Sequence, residues 1–415
     1  MRFDAEVVVV GAGPAGAVTA LLLARAGRDV VMLDRADFPR PKPCGDCLSA
    51  ETGALLGRLG LLEPVRACHP AELEGWRIHA PGGGSFEVRF REIGGERGAP
   101  PAALSLPRER LDTVLVSAAV DAGARFVPGA RVTEPLDGPP GVVGRMRGGD
   151  PFEARARLVV AADGLRSVLV RRHGLLRRSA RLRKVSLTAH IAGVRADPAL
   201  GQMHSADGLC AGLAAVTAAG DLWNVTLVAD ADRFGREVGA DPQSFFVRAV
   251  ERFPALRERV DGAELCATLL LGSGPFDAPV RRPVADGLAL VGDAAGYFDP
   301  FTGQGIHHAL AAAELLAPVA DAALRRRGGS IVAGDLAVYA RQRARLLRGT
   351  RALQRVVDEV LRRPALADAA IGRLAKSPAA ARTLLAATGD VVPPVALLSP
   401  RVVASLLVPS AARSA

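Results

Sequence analysis

Val7-Val8-Val9-Val10-Gly11-Ala12-Gly13-Pro14-Ala15-Gly16 runs from four consecutive valines into a glycine turn, and Asp34 closes the next apolar run, Asp29–Asp34. Between them Pro14–Ala26, rich in alanine and leucine, has helical composition, so the opening reads as a β-α-β unit. Gly11 permits a tight turn, Gly13 lets backbone approach a pyrophosphate, and Gly16 lets helix and strand pack closely. The unpaired N–H groups of the helix start suit an anion, and the Asp34 carboxylate suits ribose hydroxyls. The reading is an α/β fold with a Rossmann-like dinucleotide site built on Gly11, Gly13, Ala15, Gly16, Asp34 and Arg35.

A second motif, Leu158-Val159-Val160-Ala161-Ala162-Asp163-Gly164, puts a carboxylate on the turn after another buried strand. A third, Leu288-Ala289-Leu290-Val291-Gly292-Asp293, precedes Pro300 and Gly303-Gln304-Gly305, where a helix begins. Asp293 suits a ribityl hydroxyl, and the N–H groups of Gly303, Gln304 and Gly305 suit the pyrimidine end of an isoalloxazine. No second glycine fingerprint offers a resident NAD(P)H site, so either a nicotinamide docks transiently or reduced flavin comes from elsewhere.

The order and spacing of these motifs resemble the p-hydroxybenzoate hydroxylase superfamily, and within it the geranylgeranyl reductase-like group, over roughly residues 1–330. The resemblance implies FAD, with its pyrophosphate at Gly11, Gly13 and Gly16, and a transiently docked NAD(P)H as its reductant. It also implies flavin and pyridine-nucleotide roles for Asp163 and Gly164, and the ribityl chain at Gly292 and Asp293. Arg108 matches the arginine that contacts the FAD diphosphate. Pro39–Leu48, with Cys44-Gly45, is similar to the segment that marks the reductase-like group and places its cysteine near flavin. Cys44 reads either as a proton donor there or as an inert packed thiol; His190, mid-strand, reads either as an acid–base group facing the substrate or as a satisfied sheet histidine. His307 and His308 read as helix-surface residues. Cys44 and Cys47 lack the two further ligands that structural zinc needs, so no metal is expected.

The discontinuous cofactor-binding part is expected at 1–70, 101–180 and 275–330. A mainly antiparallel substrate sheet is expected at 71–100 and 181–274, and helices at 331–415. From Asp335 an amphipathic helix presents Leu346, Leu353, Val357 and Leu361 on one face.

At 49% hydrophobic content, 415 residues bury a substantial core. Five cysteines, Cys44, Cys47, Cys68, Cys210 and Cys266, form no disulfide framework. Met1–Val10 is too short an apolar run for a signal or span, so a cytoplasmic location is expected. The +10 formal charge is almost all arginine, spread along the chain, which reads as a basic surface and not as a nucleic-acid site. At most weak association with a membrane surface is expected.

The archaeal Tyr-x-Trp-x-Phe-Pro motif is missing, since the comparable strand reads Leu222-Trp223-Asn224-Val225-Thr226, and Gly296 stands where many aromatic hydroxylases have histidine. The only tryptophans, Trp76 and Trp223, cannot form the Trp-x-Trp-x-Ile-Pro stretch that flavin halogenases carry together with a catalytic lysine. The sequence leans to an NAD(P)H-dependent monooxygenase acting on an apolar, phenolic or polyketide-like molecule. Reduction of an isoprenoid C=C bond is the second reading, and a non-catalytic FAD protein the third.

Overall fold

The computed structural model describes all residues except 94–101, 178–182, 264–268, 277, 298, 300, 301 and 408–415. Pro300 and Cys266 therefore lie outside the described residues.

The quoted opening folds as β1 (Val7–Val10), α1 (Pro14–Arg25) and β2 (Val30–Leu33). Every residue of β1 and β2 is buried, as expected for a parallel sheet covered on both faces. The six-stranded sheet runs Val284–Ala285, Leu288–Leu290, Leu158–Ala161, β1, β2, Arg125–Val127. All three motifs thus leave adjacent parallel strands at one edge, the crevice where such sheets bind ligands. Gly11 holds φ +101°, and a Cβ there would lie 2.4 Å from the Ala162 carbonyl oxygen. Gly292, at φ +57°, brings its turn so near α1 that a Cβ would meet Ala15 at 2.9 Å. Only glycine permits either approach.

A seven-stranded sheet stands opposite. In chain order its main strands are β3 (Gly75–His79), β4 (Ser85–Arg89), β5 (Lys184–Ala192), β6 (Leu200–Ala206), β7 (Leu209–Ala215) and β8 (Leu222–Asp230). The spatial order is Leu271–Ser273, β5, β8, β7, β6, β3, β4. The two-residue side-chain period sorts its faces. Leu187, Ala189, Ile191, Trp223, Val225 and Leu227 join a core with Phe245, Phe246 and Phe253 of the helical stretch 231–260. The alternate residues, Ser186, Asn224, Thr226, Cys210 and Met203, line a cavity against the first sheet.

Two smaller sheets lay outside the sequence reading. Arg2–Asp4 pairs with Pro151–Arg155 in a four-stranded sheet, and Ala71–Leu73 pairs with Ala103–Ser105 and not with the large sheet. Helix α2 (Arg108–Asp121) follows, and α3 (Gly305–Arg326) packs along α1. The chain then forms α4 (Ala337–Leu361), α5 (Pro364–Ala375), α6 (Pro378–Thr388) and α7 (Pro400–Leu407). No helix among the described residues is long and apolar enough to cross a membrane.

One buried ion cluster joins three parts of the chain. Lys184 of β5 places Nζ 2.6 Å from Asp299, in the loop before α3, and 2.7 Å from Asp358 of α4. Arg362 closes on Asp358 at 3.0 Å from the exposed side.

Candidate active site

The cavity between the sheets has a volume of about 230 Å³ and is walled by all three motifs. Gly13, Pro14 and Ala15 at the start of α1, and Gly303, Gly305 and Ile306 at the start of α3, face into it. Neither helix start has a side-chain cap. Two sets of unpaired N–H groups therefore point at one chamber, the arrangement that stabilises anions. Lys42 and Arg108 line the chamber, and the Arg40 guanidinium stands 3.8 Å from where a Gly13 Cβ would be. Burial depresses the Lys42 pKa, and neighbouring Arg108 depresses it further, so an anionic ligand would relieve a crowded positive wall. A diphosphate beside α1 and an electron-rich ring edge beside α3 match these donors. The residues present fit FAD.

The expected cofactor residues divide by position. Gly13, Ala15, Arg108, Gly164, Gly292, Asp293, Gly303 and Gly305 line the chamber. Gly11 and Gly16 form the close packing behind it: a Cβ on Gly16 would fall 1.8 Å from the Gly11 carbonyl oxygen. Asp34 accepts the Ala12 N–H at 2.8 Å and the Ala36 N–H at 2.8 Å, so it shapes the glycine turn as well as ending β2. Arg35 is exposed. Asp163 caps Val168–Arg172 through the Val168 N–H at 2.8 Å, with Oδ1 buried and unpartnered. Burial raises the Asp293 carboxyl, and Lys42 followed by Arg108 pull it back. Gln304 turns away and donates to Asp390 at 2.6 Å.

That Gln304–Asp390 contact corrects the surface reading of His307 and His308. The turn after α6 packs over the start of α3, leaving His307 buried and His308 3.6 Å from Asp390.

Arg108 is buried and spends Nε and Nη2 on the two Asp112 oxygens, each at 2.8 Å. Its positive charge and the Asp46 backbone N–H both act on the Cys44 thiol. Burial raises the Cys44 pKa, so the resting group is the neutral thiol, while Arg108 and the Asp46 N–H favour the charge that appears if the proton leaves. Cys44 and Cys47 both border the chamber as free thiols.

Asp46, passed over in the sequence, is the hub of a polar cluster. It holds φ +59° and is 1% exposed. Its Oδ2 lies 2.5 Å from His190 Nε2 and accepts from Asn224 Nδ2 at 2.7 Å. Asn224 also donates to the Cys44 carbonyl at 2.8 Å. His190 accordingly faces Asp46 and not the open chamber. Burial opposes its protonation, but the Asp46 contact outweighs this and lifts its pKa. Asp46 is legible as a candidate only from its place between two cysteines in a proline-rich loop and His190 only as a mid-strand histidine; Asn224 carries no local signal.

A second cavity, of about 320 Å³, adjoins the first and shares Cys47, Trp76, Met203 and Gly303 with it. Its walls are mainly apolar: Leu353, Val357 and Leu361 of α4, Ile371 and Leu374 of α5 and Leu385 of α6 face the aromatic rings of Trp76, Phe86 and Phe90, with His79 and His204 also in the lining. The amphipathic face expected after Asp335 thus lines a space. Trp76 stands at the junction, its ring stacked where a Cβ on Gly201 would lie 2.7 Å away.

The FAD binding domain family matches residues 4–207. Digeranylgeranylglycerophospholipid reductase 1 of Methanopyrus kandleri is 33% identical over 340 residues, covering 78% of this chain and 82% of the relative. Menaquinone reductase of Mycolicibacterium smegmatis is 35% identical over 199 residues, 47% of this chain and 46% of the relative. A geranylgeranyl bacteriochlorophyll reductase-like protein from Thermoplasma acidophilum shares the fold with TM-score 0.78 at 22% identity, over 98% of this chain and 99% of that one. The myxobacterial chondrochloren halogenase shares it with TM-score 0.73 at 21% identity, over 84% and 80%.

Proposed function

The chain belongs to the geranylgeranyl reductase-like family of FAD-dependent oxidoreductases, and from that premise we propose that it reduces a C=C bond in the isoprenoid chain of a lipid. The observation that carries this reading is the mainly apolar side cavity that adjoins the flavin chamber at Cys47, Trp76 and Met203. A prenyl chain matches such a wall, and its double bond would reach the chamber at the Trp76–Met203 junction. The relatives named as lipid and quinone reductases support the reduction over the oxygenation that the missing aromatic motif suggested.

FAD held at the starts of α1 and α3 beside Arg108, and reduced by a transiently docked nicotinamide, would supply the hydride chemistry for one alkene carbon. The other carbon needs a proton. Cys44 suits the task because burial keeps its thiol protonated at rest. As the S–H bond breaks and the C–H bond forms, Arg108 and the Asp46 N–H face the negative sulfur. The apolar walls exclude water from the rest of the chain. Asp46, His190 and Asn224 act as positioning residues, fixing the Cys44–Asp46 turn through side chain and backbone.

The test is product mass after turnover of geranylgeranyl-bearing lipids and of menaquinone with NADPH or NADH under labelled dioxygen. The expected product gains two hydrogens and no label, and Cys44→Ala loses this gain while retaining FAD. One labelled oxygen per product would establish a monooxygenase instead. A flavin that neither nicotinamide bleaches, with or without lipid, would favour a non-catalytic FAD protein or a separate reductase partner.

A further inference from the structure

Arginines occur all along the chain, but the surplus of charge does not. Residues 337–407 hold twelve arginines and lysines against four carboxylates, a surplus of eight in a chain of net charge +10. On α4, Arg341, Arg345, Arg348 and Arg355 are exposed. Large apolar side chains are exposed in the same region: Val356 is 61%, Val395 65% and Leu398 74% accessible.

These residues are neighbours. The segment Pro394–Leu398 seats Pro394 against α4, where a Cβ on Gly349 would meet it at 3.3 Å. Leu397 of that segment and Val356 of α4 line the same side cavity. Val356 therefore both lines the cavity and faces outward, which marks where the cavity reaches the surface. Helix α7 packs on the same segment and exposes Arg401 and Val403.

We propose that the face formed by α4, Pro394–Leu398 and α7 docks on the surface of an anionic lipid bilayer, with the cavity mouth turned toward it. Arginines at headgroup level meet lipid phosphates, while Val395 and Leu398 enter the acyl boundary. The combination discriminates among partners. A nucleic acid gains nothing from exposed valine and leucine, and a second copy would oppose one basic face with another. The surface stands whichever reaction the chamber performs, because docking needs no substrate.

The holoprotein is sedimented with vesicles of phosphatidylcholine alone, or with roughly one-third phosphatidylglycerol, at low and high salt. Binding about tenfold tighter to the anionic vesicles, and weakened by salt, is expected. Val395→Asp/Leu398→Asp and Arg345→Glu/Arg348→Glu/Arg401→Glu should each lower it about tenfold, with flavin content and thermal midpoint unchanged. Equal binding to both vesicles, binding to neither, or full binding by both folded variants overturns the proposal. So does a concentration-dependent dimer that Val395→Asp/Leu398→Asp dissolves.

Discussion

The 2.5 Å contact between His190 and Asp46 makes a sharp prediction about protons. Because the folded-state pKa of His190 is raised, its pairing with Asp46 contributes stability fully present below the unfolded value of about 6.5 and lost as pH rises through the folded pKa. Histidine-labelled NMR should therefore show His190 titrating above the ordinary value in the native protein. In Asp46→Asn the partner charge is gone while burial remains, so the same resonance should titrate lower. If Asp46 positions Cys44, turnover falls about a hundredfold in this variant with FAD still bound. A His190 titration unmoved by the substitution would remove Asp46 from its role. None of this cluster was visible as a pattern, since Asp46 lies 144 residues from His190 and 178 from Asn224. A strand brings His190 and Asn224 side by side, and only the β5–β8 register, pairing those two residues, puts both over the Cys44 loop.

Elements were legible where their signals are local. The valine run, the glycine turn and the alanine–leucine helix each obey short-range rules, so β1, α1 and β2 follow from adjacent residues. The helices of 231–260 carried comparable start signals, Asp230, Asp241-Pro242 and Pro254, which the sequence reading did not use; Asp241 accepts the Ser244 N–H at 3.0 Å. Long-range charge was not legible at all. Lys184 is one of three lysines and sits among arginines in sequence, yet it meets two buried carboxylates. Lys184→Met removes the buried cation that Asp299 and Asp358 share, at a cost of about 3–5 kcal/mol. Denaturant unfolding should show that loss, and Lys184→Met/Asp299→Asn/Asp358→Asn should recover part of it. An unchanged midpoint in the single variant would mean that the cluster contributes nothing net.

For the whole molecule, the helices after α3 add a mainly apolar side cavity to the flavin chamber. Leu353→Trp, whose larger ring fills that cavity, should cut turnover of long prenyl lipids about tenfold or more. Flavin reduction by nicotinamide, and turnover of a substrate with only one or two isoprene units, should be spared; steady-state rates on the two chain lengths decide it. Equal effects on both would place the long chain elsewhere. The fold class and cofactor motifs lay in the sequence because each is written in one short stretch, whereas this cavity is assembled from helical segments far apart in the chain and from strands of two sheets. The Lys184 cluster has a further consequence for how such a protein diversifies. Asp358 belongs to the segment that walls the side cavity, while its counter-ion belongs to the sheet and Asp299 to the flavin loop. The cavity-forming segment is therefore not a portable cassette: a chimera that grafts in a relative's tail inherits a buried charge mismatch unless position 358 travels with a carboxylate, so new cavity shapes arise more readily by substitution within the tail than by exchange of it.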